Sequence, residues 1–418
     1  MTERTLGPWN VAILLISASY GIGFVFGTGE LARTIGMASS LYAAATGIGM
    51  VFLAAVAGTF WRLGAPVWGL FREKHRALEA GVALLSSVWL LGIFSVQLQG
   101  AAAVLGLNFG LAPAWQHTIA GALVWLLGRL RPGRMGAVFT VFLAAASASL
   151  VVVIVLNGGI GLYARSWAMV ATDAARYLSP TDIGVTVVST IALVILGADY
   201  QQFVILARSR QAAVMGCVLA GVAVMLISTL PSTAVLAAMQ SGHLAPALAA
   251  KETIPFLVVE PFGGRHGAIG QGILCVLLLA ALGSGAAVAM AAAHATRQAL
   301  SWKRVPDSVV SLAVVLGGIA IAQIGTSMVG LIVSINTLFL TTVAVPLAAT
   351  LVGYGSGRGC AWAMAAGFTS ALAALCLQPL LGWHAGAWLS AAAGIACGGM
   401  VLAGVTLYES RRAITSIA

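Results

Sequence analysis

The sequence predicts an all-α integral membrane protein of about twelve transmembrane helices, arranged as a five-plus-five inverted repeat with two further C-terminal helices. Three observations predict the membrane-helix bundle, and paired interruptions in its first and sixth helices point to the repeat. Of the 418 residues, 60% are hydrophobic and only 8% charged, against roughly 25% charged in soluble domains, so there is too little polar surface to face water. The apolar stretches run for about 20 residues, enough for a helix to cross roughly 30 Å of hydrocarbon, and they lack the alternation of barrel strands. Lys and Arg gather at alternate connections, as they do in cytoplasmic loops. The 50 glycines are in keeping, because small residues let membrane helices approach closely.

The predicted helices cover 9–34 and 38–61 and, after a polar linker around Pro66–Arg76, 78–106, 112–129 and 133–157. A second set covers 183–205, 211–239, 266–298, 306–324 and 327–352, followed by 359–380 and 383–408. Residues 9–157 are the first five-helix repeat, 183–352 the second and 359–408 two accessory helices, all in one domain spanning 1–418. With this count, Arg33, Arg165, Arg176, Lys251 and Arg265 lie outside, and the other sixteen of the 21 Lys and Arg, including Lys74, Arg131 and Lys303, lie inside. The asymmetry puts both termini in the cytoplasm of a multi-pass protein of the plasma (inner) membrane. The net charge of +10 therefore describes topology and not a nucleic-acid partner.

The segment before the first apolar run is too short for a cleaved signal peptide, so that run is expected to stay as a helix. The external connections 158–182 and 241–265 are partly apolar, with Trp167, Phe256, Leu257 and Val258, and are expected to form short helices on the outer face. Cys217, Cys275, Cys360, Cys376 and Cys397 show neither a disulfide framework nor a metal spacing and read as small core residues.

Broken helices in a bilayer are tolerated where the freed backbone groups line a cavity or bind something. In the first helix, Gly21, Gly23, Gly27 and Gly29 crowd into nine residues, each costing about 1 kcal/mol relative to Ala. Close packing or an unwound hinge would each use such glycines. The nearby Thr28 and Glu30 favour a hinge whose carbonyls hold a cation. The sixth helix offers a counterpart, with Ser189-Thr190 in its middle and Gly197, Asp199 and Gln202 toward one end. Interruptions in corresponding helices of two halves are the sequence mark of an inverted-repeat transport site.

Ionisable groups within the membrane are functional candidates. Glu30 is placed to meet a substrate amine or a proton, or else to face the external vestibule or pair with Arg33. Asp199, with Gln202 and the nearby Arg208 or Arg210, reads as a clamp at an inner gate. His294, three residues before Arg297, reads as a buried hydrogen-bonding or an interfacial group. Polar residues near mid-membrane, Gln97, Gln99, Ser189, Thr190, Ser334 and Asn336, either contact substrate or hydrogen-bond between helices.

Four stretches resemble the sodium:solute symporter family, relatives of the sodium/proline and sodium/glucose transporters. They are Ser17-Ala-Ser-Tyr-Gly21, Asp199-Tyr-Gln-Gln202 with Ala207-Arg208-Ser209, Ala280-Ala281-Leu-Gly-Ser284-Gly285, and Pro346 with the Gly- and Arg-containing loop after it. The likeness runs over most of the chain in order and spacing. It implies a leucine-transporter-type fold and a sodium site built from the carbonyls of Ala18, Gly21 and Ala281 and the hydroxyl of Ser284. Gly285 stands where the family has a second hydroxyl, Tyr20 where some members have an acid, and Phe203 where the family has Arg. The family's extra N-terminal helix is also missing.

The expected function is a secondary active transporter, a solute:sodium symporter importing a small organic solute. Na⁺ is its coupling ion and there is no other cofactor. Substrate contacts are expected from Tyr20, Gly23, Glu30, Gln97, Gln99, Ser189, Thr190 and Asn336, and gating from Asp199 and Gln202. A proton-coupled or uncoupled carrier, with Glu30 titrating, is the alternative. A membrane sensor would need a signalling module, and only ten residues follow residue 408. An enzyme is not expected, because Glu30, Asp199 and His294 form no HExxH or paired-carboxylate spacing.

Overall fold

The computed structural model describes residues 4–72, 75–129, 132–244, 248–302, 304–324, 327–380 and 387–415. Lys74, Arg131, Lys303 and the predicted start of the last helix at 383 lie outside these residues. The described chain is all-α. Its helices are α1 (Pro8–Ser19), α2 (Ile22–Ile35), α3 (Leu41–Leu63), α4 (Arg76–Phe109), α5 (Pro113–Leu127) and α6 (Pro132–Leu156). Then come α7 (Ile160–Ala164), α8 (Ser166–Tyr177), α9 (Pro180–Leu196), α10 (Ala198–Ile205), α11 (Arg210–Ile227), α12 (Leu230–Gln240) and α13 (Thr253–Val259). The last five are α14 (Ala268–Leu300), α15 (Asp307–Ala322), α16 (Met328–Leu351), α17 (Gly357–Leu380) and α18 (Ala387–Thr415).

Eight helical stretches among the described residues are long and apolar enough to cross a membrane, and the chain is a multi-pass membrane protein. Eight differs from the twelve expected, for an identifiable reason. Several predicted helices are broken, and others are short beside the roughly 20 residues a crossing needs. α1 has 12 residues and α15 has 16, whereas α2 and α3 run with the 3₁₀ turn between them as one apolar stretch, Ile22–Leu63. The short helices expected within 158–182 and 241–265 are present as α7, α8 and α13. The 66–76 linker is not simply polar. Val67–Phe71 forms a 3₁₀ turn that buries Val67, Trp68 and Phe71. Cys217 and Cys360 are buried as expected, but Cys275 and Cys376 are exposed on the apolar faces of α14 and α17.

The packing is that of an inverted repeat. α3 packs on α11 and α9, α4 on α14 and α2, and α1 on α11. One end of the bundle, hereafter the N-terminal face, is tied by the chain start. Leu6 N–H donates to Leu206 O (3.1 Å), Arg208 N–H to Leu6 O (2.9 Å) and Trp61 Nε1 to Ala207 O (2.8 Å). The opposite face is covered by α8 and α13. Asp173 of α8 accepts from Met37 N–H at 2.8 Å.

Candidate substrate and cation site

The first helix breaks where the glycines begin, but only Tyr20 and Gly21 leave the helix, with φ/ψ of −96/43° and −67/161°. Neither conformation demands glycine. Gly21 is needed for space, because a Cβ there would stand 2.5 Å from Gln97 Nε2. Gly23, Gly27 and Gly29 are helical in α2 and serve close packing. A Cβ on Gly23 would meet the Val96 carbonyl oxygen at 2.6 Å, and one on Gly27 the Met328 Cβ at 3.0 Å. The run of four glycines is thus one break and three contacts. The sixth predicted helix breaks in the same manner at Gly197, between α9 and α10, at φ/ψ −68/121°. Ser189 and Thr190 lie inside α9 and are helical and buried.

Breaking a helix frees donors at one cut end and acceptors at the other. At the start of α2, Gly23 N–H donates to Gln97 Oε1 at 3.0 Å. Ser284 Oγ lies 3.0 Å from that same oxygen and 3.1 Å from the carbonyls of Ala280 and Ala281, so its one proton has three acceptors in reach. At the end of α1, no backbone N–H among the described residues donates to Ala18 O, whereas Gly21 O accepts from Phe24 N–H (3.0 Å) and Val25 N–H (3.1 Å). The oxygens of Ala18, Gly21, Ala281 and Ser284 are neutral, a donor set suited to a hard cation, and Ala18 O lies at the C-terminal, electronegative end of α1.

A cavity of about 310 Å³ leads to this break from the N-terminal face. It runs from Phe203, Leu206 and His294 past Trp68 and Gln202 to Ala18, Gly21 and Ser284. The lining is largely apolar, with Trp68 and His294 rings 6.1 Å apart. Among the described residues the opposite side is closed by side-chain contacts. Glu30 accepts from Met328 N–H at 3.4 Å, Arg33 donates to Leu248 O at 2.6 Å, and Lys251 Nζ donates to Gln99 Oε1 at 3.0 Å. Ile254, Leu257 and Val258 of α13 are buried there.

The expected site residues are only partly brought together. Ala18, Gly21, Ser284 and Gln202 line the cavity, and Ala281 is buried directly behind it. Gln97 joins Gly23 to Ser284. Tyr20 turns away, wholly buried, and donates to Ile227 O at 2.9 Å. Asn336 accepts from Trp89 Nε1 at 2.9 Å, Ser334 donates to Gly330 O at 2.9 Å within its own helix, and Gln99 and Glu30 belong to the shut side. Asp199, 2% exposed, accepts from Tyr200 N–H at 2.9 Å and forms no ion pair with Arg208 or Arg210 among the described residues. The clamp at that point is made by Gln201, which sequence reading passed over. Its Oε1 accepts from Val67 N–H (2.7 Å) and its Nε2 donates to Ile195 O (2.8 Å). Trp68 was also missed, although the apolar Val67-Trp-Gly-Leu-Phe71 in an otherwise polar linker was a readable signal.

No protein-family model and no curated protein sequence matches the chain. Solved structures do. A Na⁺-coupled sialic acid symporter, in a substrate-bound outward-open state, aligns with a TM-score of 0.68 at 11% identity, over 95% of this chain and 90% of that one. Mhp1, a nucleobase-cation-symport-1 family transporter in a closed conformation with bromovinylhydantoin bound, aligns at 0.63 and 14% identity, over 98% and 94%. A manganese transporter of Eremococcus coleocola, in complex with an aromatic bis-isothiourea compound, aligns at 0.56 and 13% identity, over 96% and 93%. The fold is leucine-transporter-type. At such identities the likeness is one of fold, and these neighbours differ in what they carry, so it does not single out one family. All three are transporters, and none is an enzyme.

Proposed function

We propose that the chain is a secondary active transporter, a solute:sodium symporter that imports a small organic solute by alternating access. One observation carries the reading: the cavity reaches Ala18, Gly21 and Ser284 from the N-terminal face while the opposite side is sealed. Counting each broken helix as one crossing, α1–α2, α3 to α6, α9–α10, α11–α12 and α14 to α18 make twelve, with repeats at 9–157 and 183–352 and accessory helices at 359–408. The excess of Lys and Arg makes the N-terminal face cytoplasmic, so this arrangement is inward-facing, in a plasma membrane. Na⁺ bound by Ala18, Gly21, Ala281 and Ser284 would favour the outward-facing state, and coupling follows from its differential affinity for the two states. The solute would lie beside the two breaks, near Gly23, Thr190 and Asn336, with Asp199 and Gln202 at the inner gate.

Uptake of candidate solutes into proteoliposomes, with and without an inward Na⁺ gradient, tests this. Na⁺-driven accumulation lost in Ser284→Ala is the expected result. Uptake unchanged when choline replaces Na⁺ would overturn sodium coupling. The Glu30–Met328 contact favours one second reading. Outward opening must break it, which would present a carboxylate to the outside and suit proton coupling. Uptake driven by a proton gradient and abolished in Glu30→Gln would select that reading.

A further inference from the structure

The sodium site implied above is short of oxygens in two places. Gly285 brings no hydroxyl, and a Cβ there would meet Val124, Gln97 and Phe94, at 3.4 to 3.6 Å, as its nearest neighbours. Gly21 O already accepts two N–H groups of α2, from Phe24 and Val25. A carbonyl oxygen has two lone pairs, so little acceptor capacity remains on it. Ala18 O, Ala281 O and Ser284 Oγ are three ligands, fewer than a hard cation takes from oxygens in a protein site.

The missing oxygen is present, on a helix that the sequence reading gave to the solute. Gln97 of α4 is 4% exposed, and its amide is wedged between the two halves of the site. The amide lies against Gly21 on one side, so closely that no Cβ fits there, and 3.0 Å from Ser284 Oγ on the other. Two ligand oxygens of one cation commonly stand about this far apart, since each is some 2.3–2.6 Å from an ion of calcium's size. The proton count also works. Without a cation, Gln97 Oε1 takes Gly23 N–H and stands within reach of the Ser284 hydroxyl. When a cation enters, the Ser284 proton turns to Ala280 O, 3.1 Å away. That frees one lone pair on Gln97 Oε1 and lets Ser284 Oγ turn a lone pair, instead of its proton, toward the ion, and it leaves the Gly23 bond intact.

We infer that Gln97 Oε1 is a direct ligand of the coupling cation, supplying the oxygen that Gly285 and Gly21 do not. The inference rests on the sodium reading of the site. It also ties the ion to the break, because the amide that holds the cation also accepts the Gly23 N–H in the first turn of α2.

The test uses the purified full-length protein and its thermal stability against NaCl, with choline chloride keeping ionic strength constant. A Na⁺-specific rise in melting temperature is expected for the wild type. Its absence would overturn the sodium reading itself, and this inference with it. Given that rise, Gln97→Met, which keeps volume and removes the oxygen, should move the Na⁺ midpoint up by about tenfold or more. Gln97→Glu guards against a variant that does not fold. It should bind Na⁺ with a midpoint that rises as pH falls through the carboxylate range, because protons then compete for the ligand. A wild-type Na⁺ midpoint in Gln97→Met, with only the solute KM altered, would make Gln97 a solute contact and overturn the proposal. So would a pH-independent midpoint in Gln97→Glu.

Discussion

The phenol of Tyr20 donates to the carbonyl of Ile227, 2.9 Å away, and that carbonyl is free because of Pro231. In an unbroken helix Ile227 O would accept the N–H four residues on, which proline lacks. The predicted helix over 211–239 therefore breaks into α11 and α12. The acceptor left over anchors the break in the first helix, 207 residues away in sequence.

Tyr20→Phe is expected to lower stability by about 0.5–1.5 kcal/mol, the usual net worth of one such bond, by leaving a buried carbonyl unpartnered. Pro231→Ala restores the helical donor. In that background Tyr20→Phe should cost less, since the two changes share one acceptor. Melting curves of the two single variants and the double variant measure the coupling. Strict additivity would refute the link.

Gly21→Ala should be more damaging than Gly27→Ala. The first Cβ meets the Gln97 amide at 2.5 Å, whereas the second meets Met328 Cβ at 3.0 Å. Forcing atoms into a filled site costs about 1–3 kcal/mol. Transport assays should show loss of activity in Gly21→Ala, with Gly27→Ala retaining more. The reverse order would remove the steric account of Gly21.

The clamp at the N-terminal face is Gln201, not its neighbour. Gln201→Leu strands Val67 N–H and Ile195 O, each worth about 1–3 kcal/mol when buried without a partner. Gln202→Leu faces the cavity and should leave melting almost unchanged. Comparing the two melting temperatures decides the matter.

Accessibility checks the direction of the cavity. In a background without the five native cysteines, Ala287→Cys, on the cavity wall, should react with a membrane-impermeant maleimide from the N-terminal face. Thr28→Cys, at a wholly buried position of α2, should stay protected from both faces until the transporter cycles. Equal labelling of the two would mean that the opposite face is not sealed.

Composition and patterning alone were enough to determine a multi-pass helical membrane protein, because the bilayer admits only long apolar segments whose backbone bonds close internally. They were also enough to expect a break within Ser17–Glu30 and an interruption within Ser189–Gln202, since glycine clusters and mid-helix polar groups are local features, but only the structure narrowed these to Tyr20-Gly21 and Gly197. What each glycine does was not local. Three of the four, those in α2, turned out to be contacts with Val96, Met328 and Ile254, partners far away in the sequence that no spacing rule reveals. The break at Ser228–Thr229 was readable from Pro231, but the use of the freed Ile227 carbonyl by Tyr20 was not. Gln201 and Gln202 are adjacent and chemically identical, yet one ties the bundle and the other lines the cavity. Helix rotation separates them, and rotation is set by packing between helices, so only the tertiary structure could decide it.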